Sequence, residues 1–302
     1  MTADYQSILQ HQVNAPLASR NDEIHYLIPL PSYGVITVTG EVASGFLQNL
    51  LTNDVQQLGE QPSQISAMCN PKGRLLAIFV LVKTDNGYHL VLPKSQCAFL
   101  AQRLQMFKLR SKVDVIDNSE NLHVCGLQGS NAPTSAISLP SQSRALLIAT
   151  DEQLSSELTV LIDEGWQLAA ESSWHIAEID SGIPIIFPES RELFTAQQLN
   201  LDLVGGVSFR KGCYPGQEVV ARLHYLGEPK RRLFQALAQT DAIPPVADTI
   251  VNDEKAVMGH IVRTISADDK LFMQLSLKLE GAQQKLYLND GTALAQVQPY
   301  TA

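Results

Sequence analysis

After Gly227 the sequence becomes a series of short segments typical of β-strands, and helical patterns almost disappear. The segments are "RLFQALAQ", "AVMGHIVRTI", "KLFMQLSL", "QKLYL" and "ALAQV". The turn "NDG" at residues 289–291 is a strong hairpin signal, because these residue types tolerate the positive φ angles of tight turns. Since few helical patterns remain to cover a sheet, residues 227–302 are predicted to form a small antiparallel β-barrel or sandwich.

Before Gly227, strand and helix patterns are mixed. The segment "YGVITVTG" alternates and is β-branched, as in a strand, and in the following "EVASGFLQNLL" the residues Val42, Phe46 and Leu50 share one helical face. A buried strand at residues 75–82 follows the turn "CNPKGR". Further helices are predicted at residues 100–109, 151–164, 174–180 and 215–226, the last with Pro215 in its first turn and Gly227 at its end. This mixture, with mostly antiparallel strands, predicts the α+β class.

The size and hydropathy of the chain indicate an ordinary globular protein. With 302 residues it exceeds the usual size of one hydrophobic core, so two or three packed units are expected. The longest apolar run, "LLAIFVLV", has eight residues, whereas a bilayer span needs roughly 20. The N-terminal residues are acidic and polar where a secretory signal needs a basic patch and an apolar block. We therefore expect a cytoplasmic protein with no membrane association.

Cysteine and histidine usage argues against several kinds of site. The four cysteines are widely separated and form no C-x-x-C pair, so neither a disulfide framework nor a zinc site is indicated, and no metal is predicted. The sequence also contains no H-E-x-x-H, Walker loop, G-x-S-x-G elbow, or G-x-G-x-x-G after a strand. Hydrolase and nucleotide-binding functions are therefore disfavoured.

Charge is distributed unevenly along the chain. The net charge of -9 disfavours broad nonspecific binding to nucleic acid, because attraction to phosphate needs a basic face. Residues 205–235 nevertheless hold six cations and two anions, a local net charge of +4. This window could face an anionic ligand or partner, or it could be a solvated basic face.

Cys213, in the stretch "KGCYPGQE", has surroundings that could tune its thiol. It lies just ahead of a predicted helix start, and Arg210 and Lys211 are close in sequence; both influences stabilise thiolate over thiol. Gly212 and Gly216 flank it and allow close backbone approach or positive φ angles. On the residues alone, a buried structural cysteine at a tight turn stays open as the alternative.

Two aromatic residues are candidates for covering a flat ligand. Trp174, one of two tryptophans, stands in the first turn of a predicted helix, and Tyr33 leads into the first long strand. Either ring could cover a ligand or simply pack in the core.

Several phrases in the sequence together resemble the YgfZ family of folate-binding, tRNA-modifying proteins, which are relatives of the glycine-cleavage T-protein. In order along the chain they are "LTNDV" after "VTGEVASGFLQ", "CNPKGR", "EIDSGIPII" and "GGVSFRKGCYPGQEVVAR". The resemblance spans nearly the whole chain. The K-G-C-Y-x-G-Q-E motif is highly specific, whereas "LTNDV" alone places the chain in the wider superfamily.

The resemblance implies a T-protein-like (aminomethyltransferase) fold with two interleaved α+β units, at residues 1–226, and a C-terminal antiparallel β-barrel at residues 227–302. It further implies that the protein binds tetrahydrofolate. The implied role is to support the assembly or maintenance of iron–sulfur clusters in other enzymes, including tRNA methylthiotransferases. Such a protein supports tRNA modification without having to bind nucleic acid, which agrees with the acidic net charge.

The resemblance also assigns roles to residues. Cys213 matches the functional cysteine of the family, and Trp174 matches a tryptophan that contacts folate. Tyr33 falls where a relative has another folate-contacting tryptophan, and a tyrosine can still stack on a pterin or aminobenzoyl ring. The other motif residues are Lys211, Gly212, Tyr214, Gly216, Gln217, Glu218 and Arg222.

The chain departs from the T-proteins at the place of their catalytic carboxylates. T-proteins carry an aspartate pair shortly after the turn that corresponds to "NPKGR", but residues 75–78 here are Leu, Leu, Ala and Ile. A positioned acid or base commonly contributes about 10²–10⁴-fold to such chemistry, so the departure argues against aminomethyl transfer. The alternatives to the accessory role are a folate-dependent one-carbon transferase and a plain interaction module.

Overall fold

The computed structural model describes residues 4–19, 23–59, 62–130, 132–140 and 143–300 of the chain. Within these ranges there are six α-helices: α1 (Tyr5–Gln12), α2 (Ala43–Gln48), α3 (Lys94–Lys108), α4 (Asp151–Asp163), α5 (Glu171–Asp180) and α6 (Gln217–Leu226). The strands of the same ranges are β1 (Tyr26–Pro29), β2 (Tyr33–Thr39), β3 (Ser63–Cys69), β4 (Leu75–Thr84), β5 (Gly87–Pro93), β6 (Asp114–Asp117), β7 (His123–Gln128), β8 (Ile137–Ser138), β9 (Arg144–Ala149), β10 (Gln167–Leu168), β11 (Arg231–Ala238), β12 (Thr249–Asn252), β13 (Val257–Ala267), β14 (Lys270–Lys278), β15 (Leu286–Tyr287) and β16 (Ala295–Pro299). The predicted α+β class is confirmed.

The described strands form three sheets. Their strand orders are β10-β1-β7-β9-β8, β3-β4-β5-β2-β6 and β15-β12-β13-β14-β11-β16. Strand β1 runs parallel to the short β10, whereas it runs antiparallel to β7, and β2 runs antiparallel to both of its neighbours. The third sheet is antiparallel at each of its pairings. The prediction of mostly antiparallel strands is confirmed.

The chain divides into two compact units, each assembled from separate stretches of sequence. Unit 1 comprises Met1–Leu47, Val55–Gln64 and Phe79–Trp174, and unit 2 comprises Gln48–Asp54, Ile65–Ile78 and His175–Ala302. The chain therefore passes from one unit to the other several times, as expected for an interleaved fold. The predicted domains at residues 1–226 and 227–302 stay a prediction.

In unit 1, helices α1 and α4 bury apolar side chains against the first sheet. Ile8 of α1 and Leu158 of α4 belong to one buried cluster with residues of β7 and β9. Helix α4 begins with a capping box, in which Thr150 and Gln153 satisfy each other's backbone N–H groups. The capped helix predicted at residues 151–164 is thus confirmed, with its last helical residue at Asp163.

In unit 2, the third sheet curls into a half-barrel that buries one face against itself. Phe234 of β11, Ile261 of β13 and Met273 of β14 lie in a cluster drawn almost entirely from the strands of this sheet. Register shifts in three of its pairings mark bulges, which bend strands and increase their twist. The opposite face contributes Leu233 and Val262 to a second cluster, with residues of β3 and β4 and of the segment that precedes α6. The predicted antiparallel architecture of the C-terminal region is confirmed.

Local differences from the sequence predictions concern helix starts and four strands. Helix α6 begins at Gln217 rather than at Pro215, because Gly216 takes a left-handed conformation at the N-cap position. Helix α5 begins at Glu171, three residues before Trp174. Strands β1, β3, β8 and β12 were not predicted. The segment "TIVN" of β12, for example, is too short to show a clear alternation. None of the helices in the described ranges has the length and hydropathy needed to cross a bilayer.

Candidate functional site

The "KGCYPGQE" stretch in unit 2 forms a loop that leads into α6, with some side chains turned inward and others outward. Lys211 and Tyr214 are buried, whereas Gly212 and Cys213 are exposed. The amide of Gln217, at the first position of α6, donates a hydrogen bond to the carbonyl of Tyr214 at 3.1 Å. The thiol therefore stands on a loop whose neighbours on both sides are fixed in the protein interior.

The ammonium of Lys211 fastens this loop to the chain that follows α2. Its Nζ donates to the carbonyl oxygens of Gln48 and Leu51, each at 2.6 Å, and to that of Asn53 at 3.0 Å. An ammonium has three N–H donors, so all three find an acceptor. Burial lowers the pKa of Lys211 to about 8, and the nearby Asp54 carboxylate acts in the opposite direction. The ammonium also lies 5.3 Å from the centre of the Tyr214 ring, within cation–π range.

The "LTNDV" segment also bonds to Gly205 and Gly206, which lie a few residues before the cysteine loop. The hydroxyl of Thr52 donates to the carbonyl of Gly206 at 2.7 Å and accepts from the amide of Ala67 at 3.0 Å. The side-chain amide of Asn53 donates to the carbonyl of Gly205 at 2.7 Å. Short polar side chains that satisfy backbone groups in this way favour tight irregular segments over helix or sheet. The "LTNDV" segment and the stretch that contains "KGCYPGQE" are therefore hydrogen-bonded to each other within unit 2.

The "CNPKGR" turn packs closely against Gly216 of the cysteine loop, and two glycines permit this close approach. Gly216 has a φ of +83° and Gly73 a φ of +70°, both in the left-handed region. A Cβ at Gly216 would collide with the carbonyl oxygen of Asn70 and would lie 2.7 Å from the Cα of Gly73. A Cβ at Gly212, by contrast, would meet no atom within 4 Å. Packing thus requires glycine at 216 and 73 but not at 212, beside the thiol.

The four cysteines, all within the described part of the chain, divide sharply by exposure. Cys213 is exposed, whereas Cys69, Cys97 and Cys125 are buried. Burial raises the pKa of Cys69 and Cys125 to about 12 and that of Cys97 to about 11, so these three stay protonated at neutral pH. Among the described residues, no three His, Cys, Asp or Glu side chains gather closely enough to hold a metal ion. The expectation of a structural cysteine buried at a tight turn is therefore wrong for Cys213.

The outer surface of α6 carries the remaining motif residues and an aromatic stack. Glu218 and Arg222 are exposed on this helix, and Gln217 is half-buried. The rings of Phe209 and His224 are stacked with their centres 3.6 Å apart, and Tyr225 packs edge-on against both.

Residues 205–235 expose fewer positive charges at the surface than their sequence suggests. Lys211 is buried, with its ammonium bonded to three carbonyls. Nη1 of Arg232 donates to both carboxylate oxygens of Asp202, at 2.7 and 2.9 Å. Arg210, Arg222 and Lys230 are exposed, and so are Glu218 and Glu228 of the same window. The window therefore offers only a modest positive surface to an anionic partner.

The two predicted folate-contacting rings lie in unit 1. Trp174 is only 2% exposed and belongs to a buried cluster against which the half-buried Tyr33 packs. Its ring fills the space left by Gly126, where any Cβ would collide with it. The guanidinium of Arg144 lies 4.7 Å from the centre of the indole. Trp174 is thus a core residue in this structure, and the prediction that it contacts folate stays a prediction.

Arg144 was not identified from the sequence, although it is the buried cation of this cluster. It begins β9 and is 7% exposed, and its Nη1 donates to the carbonyl of Trp174 at 3.4 Å. The sequence does place an arginine directly ahead of the apolar run "ALLIA". Because a charge is costly to bury without partners, an arginine at the start of a buried strand could have been singled out.

The segment that corresponds to the T-protein carboxylates is part of the core. Leu75, Leu76, Ala77 and Ile78 are all buried, with at most 4% of each exposed. An acid at any of these positions would replace a packed apolar side chain. The absence of the T-protein carboxylates from residues 75–78 is therefore consistent with the packing of β4.

Comparisons with known proteins find relatives that share one name. The chain is 30% identical over 272 residues to "tRNA-modifying protein YgfZ" of Colwellia psychrerythraea, covering 81% of this chain and 82% of the relative. It is 27% identical over 267 residues to the protein of the same name from Enterobacter sp., covering 80% and 82%. No family model matches the chain.

A solved structure shares the fold. The glycine cleavage system aminomethyltransferase T of Bartonella henselae superposes with a TM-score of 0.71, covering 97% of this chain and 88% of that protein, at 13% identity. This likeness shows the T-protein-like fold, as predicted.

Proposed function

This chain belongs to the YgfZ family, and from that premise we propose that it supports tRNA modification as a folate-binding accessory protein for iron–sulfur enzymes, with Cys213 as its functional thiol. The observation that carries the proposal is the contrast between Cys213 and its surroundings. The thiol is exposed, while Lys211 and Tyr214 on either side of it are buried and tied to the protein. An exposed thiol on a fixed loop can meet a partner without first being uncovered.

The local structure is suited to a thiol that meets another molecule. Gly212 leaves open space beside Cys213, and no packing contact requires glycine there. A partner can therefore approach the sulfur from this side. Three roles are compatible with a lone thiol: transient ligation of iron or a cluster in transit, a mixed disulfide with a client protein, and relay of a one-carbon unit.

Folate binding rests on the family resemblance, and unit 1 supplies residues that suit such a ligand. Tyr33 keeps part of its surface accessible, and Arg144 brings a buried positive charge to the cluster against which Tyr33 packs. An aromatic ring suits a flat ligand, and a guanidinium over an indole holds the indole in place. We propose that Tyr33 contacts the folate and that Trp174 supports the site, with Arg144 fixing the indole. Tetrahydrofolate, when bound, supplies a carrier for one-carbon units.

Aminomethyl transfer is not the function we propose. The core packing of residues 75–78 leaves no carboxylate where T-proteins carry theirs. At 13% identity, the likeness to the solved aminomethyltransferase concerns the fold alone.

Genetic complementation tests the thiol. In a strain that lacks the gene, Cys213→Ser should leave methylthiolated tRNA at the empty-vector level, measured by mass spectrometry of tRNA nucleosides. Glu228→Gln is the control, because Glu228 is exposed in the same unit and lies outside the motif, and it should restore the modification. Full restoration by Cys213→Ser would show that the thiol proposal is wrong.

Calorimetry with tetrahydrofolate tests the ligand. We expect Tyr33→Ala to weaken binding about five- to tenfold through the lost ring contact, and Tyr33→Phe to bind nearly as the wild type does. Absence of binding to the wild-type protein would remove folate from the proposal and favour a plain interaction module.

A further inference from the structure

We propose that Lys211 is a positioning residue for Cys213, holding the cysteine loop in place through three main-chain carbonyl oxygens of the segment that follows α2. This inference rests on the proposed function of the thiol and deepens it. Lys211 is not itself offered as a group that touches a ligand.

The hydrogen bonds of Lys211 join two segments that are far apart in the sequence. The acceptors belong to Gln48, Leu51 and Asn53, about 160 residues before the lysine, and two of the three bonds measure 2.6 Å. Gln48 is the last residue of α2, and the carbonyls at a helix end lack partners within the helix. One side chain thus donates to three main-chain oxygens.

The donor must be an ammonium for this arrangement to work. Three N–H groups that diverge from one nitrogen can reach three oxygens grouped around it, whereas the N–H groups of a guanidinium lie in one plane. The groups that face the ammonium are the Asp54 carboxylate and the Tyr214 ring, 5.3 Å from Nζ to the ring centre. Asp54 in turn accepts from the side-chain amide of Gln48 at 3.0 Å.

The consequence for the thiol follows from the chain path. Cys213 is two residues from Lys211, which the carbonyl oxygens hold in place. It is three residues from Gly216, which the close approach to Gly73 holds in place. The backbone that carries the sulfur is therefore held at each end. Without the ammonium, the segment ahead of Cys213 loses the attachment nearest to the thiol.

A spin label on Cys213 tests the inference directly, since the other three cysteines are buried and the label will attach at this exposed thiol. We expect Lys211→Met to narrow the electron paramagnetic resonance spectrum of the label, as a mobile loop does. The matched control is Arg232→Met, which removes a cation bound to Asp202 and to the carbonyl of Gln197 in the same unit. It should leave the spectrum unchanged. A residue that only stabilises the unit would alter unfolding but not the label's mobility in the folded protein.

Complementation supplies the second measurement. Lys211→Met should lower tRNA methylthiolation at least threefold, while Arg232→Met should restore it. If Lys211→Met does not fold, Lys211→Arg decides, because it keeps the charge but loses the three-way geometry; we expect an intermediate spectrum. Native label mobility in the folded variant would overturn the inference, as would full activity. If Cys213→Ser is fully active, the proposed function of the thiol fails instead, whatever the label shows.

Discussion

Replacing Gly216 with alanine tests whether the approach of two glycine-containing turns fixes the cysteine loop. Gly216 has a φ of +83°, and alanine in the left-handed region costs about 1–2 kcal/mol. The new Cβ would also collide with the carbonyl oxygen of Asn70, and an extra methyl group in filled space typically costs about 1–3 kcal/mol. We therefore expect Gly216→Ala to lower the free energy of unfolding by about 2–5 kcal/mol.

Gly212→Ala, four residues earlier, is the matched control. Its Cβ would meet nothing within 4 Å, and its φ lies outside the left-handed region. We expect a change in the free energy of unfolding within about 0.5 kcal/mol. Urea unfolding followed by circular dichroism measures both variants. The urea midpoint of Gly216→Ala should fall while the slope of its free energy of unfolding against urea concentration stays unchanged. Equal destabilisation by the two variants, or an unchanged midpoint for Gly216→Ala, would refute the reasoning.

Three further outcomes are expected. In the native protein at pH 8 a thiol reagent should modify one cysteine, Cys213, because burial raises the pKa of the other three to about 11 or 12; modification of more than one before unfolding would contradict this. Trp174→Ala should cost about 3–5 kcal/mol in urea unfolding, since the ring is 2% exposed, and the half-buried Tyr33→Ala should cost clearly less; equal costs would place Tyr33 in the core as well. Burial lowers the pKa of Lys211 from 10.5 to about 8, so the unfolded chain binds more protons between these values. The free energy of unfolding of the wild type, relative to Lys211→Met, should therefore rise from pH 8 to pH 10, by at most about 3 kcal/mol. A constant difference would show that Lys211 titrates normally.

The elements of the fold were predictable where a pattern repeats along the chain. The alternation of "YGVITVT" gave β2, and the cap at Thr150 with the apolar spacing after it gave α4. The NDG turn is a hairpin turn, with Leu288 donating to Thr292 at 2.9 Å. Each of these patterns depends on residues that are close in sequence, so it can be recognised without knowledge of the tertiary structure.

The parts that were missed depend on contacts between distant residues. Pro215 fits a first helical turn, but α6 begins later because Gly216 must approach Gly73, some 140 residues earlier in the chain. Likewise Val42, expected on the buried face of α2, is 46% exposed, because the helix is short and begins only at Ala43. No window of sequence contains the information that decides these positions.

The candidate site was predicted in part. The sequence singled out Cys213 and its motif, and the exposure of the thiol removes the alternative of a buried structural cysteine. It suggested that Lys211 acts near the thiol as a cation, whereas the ammonium is directed to carbonyl oxygens in the interior. Arg144 was not found, since its significance lies in the indole that it covers.

The three acceptors of Lys211 are main-chain oxygens, and this has a consequence for how the family can diverge. Every residue type offers a carbonyl oxygen, so the identity of the residue at position 48 or 53 does not by itself decide whether the lysine has an acceptor. Comparison of many sequences should therefore show the lysine constrained while the residues that it contacts vary independently of it. Methods that infer contacts from correlated substitutions would not detect this contact, although it joins two of the motifs by which the chain is recognised.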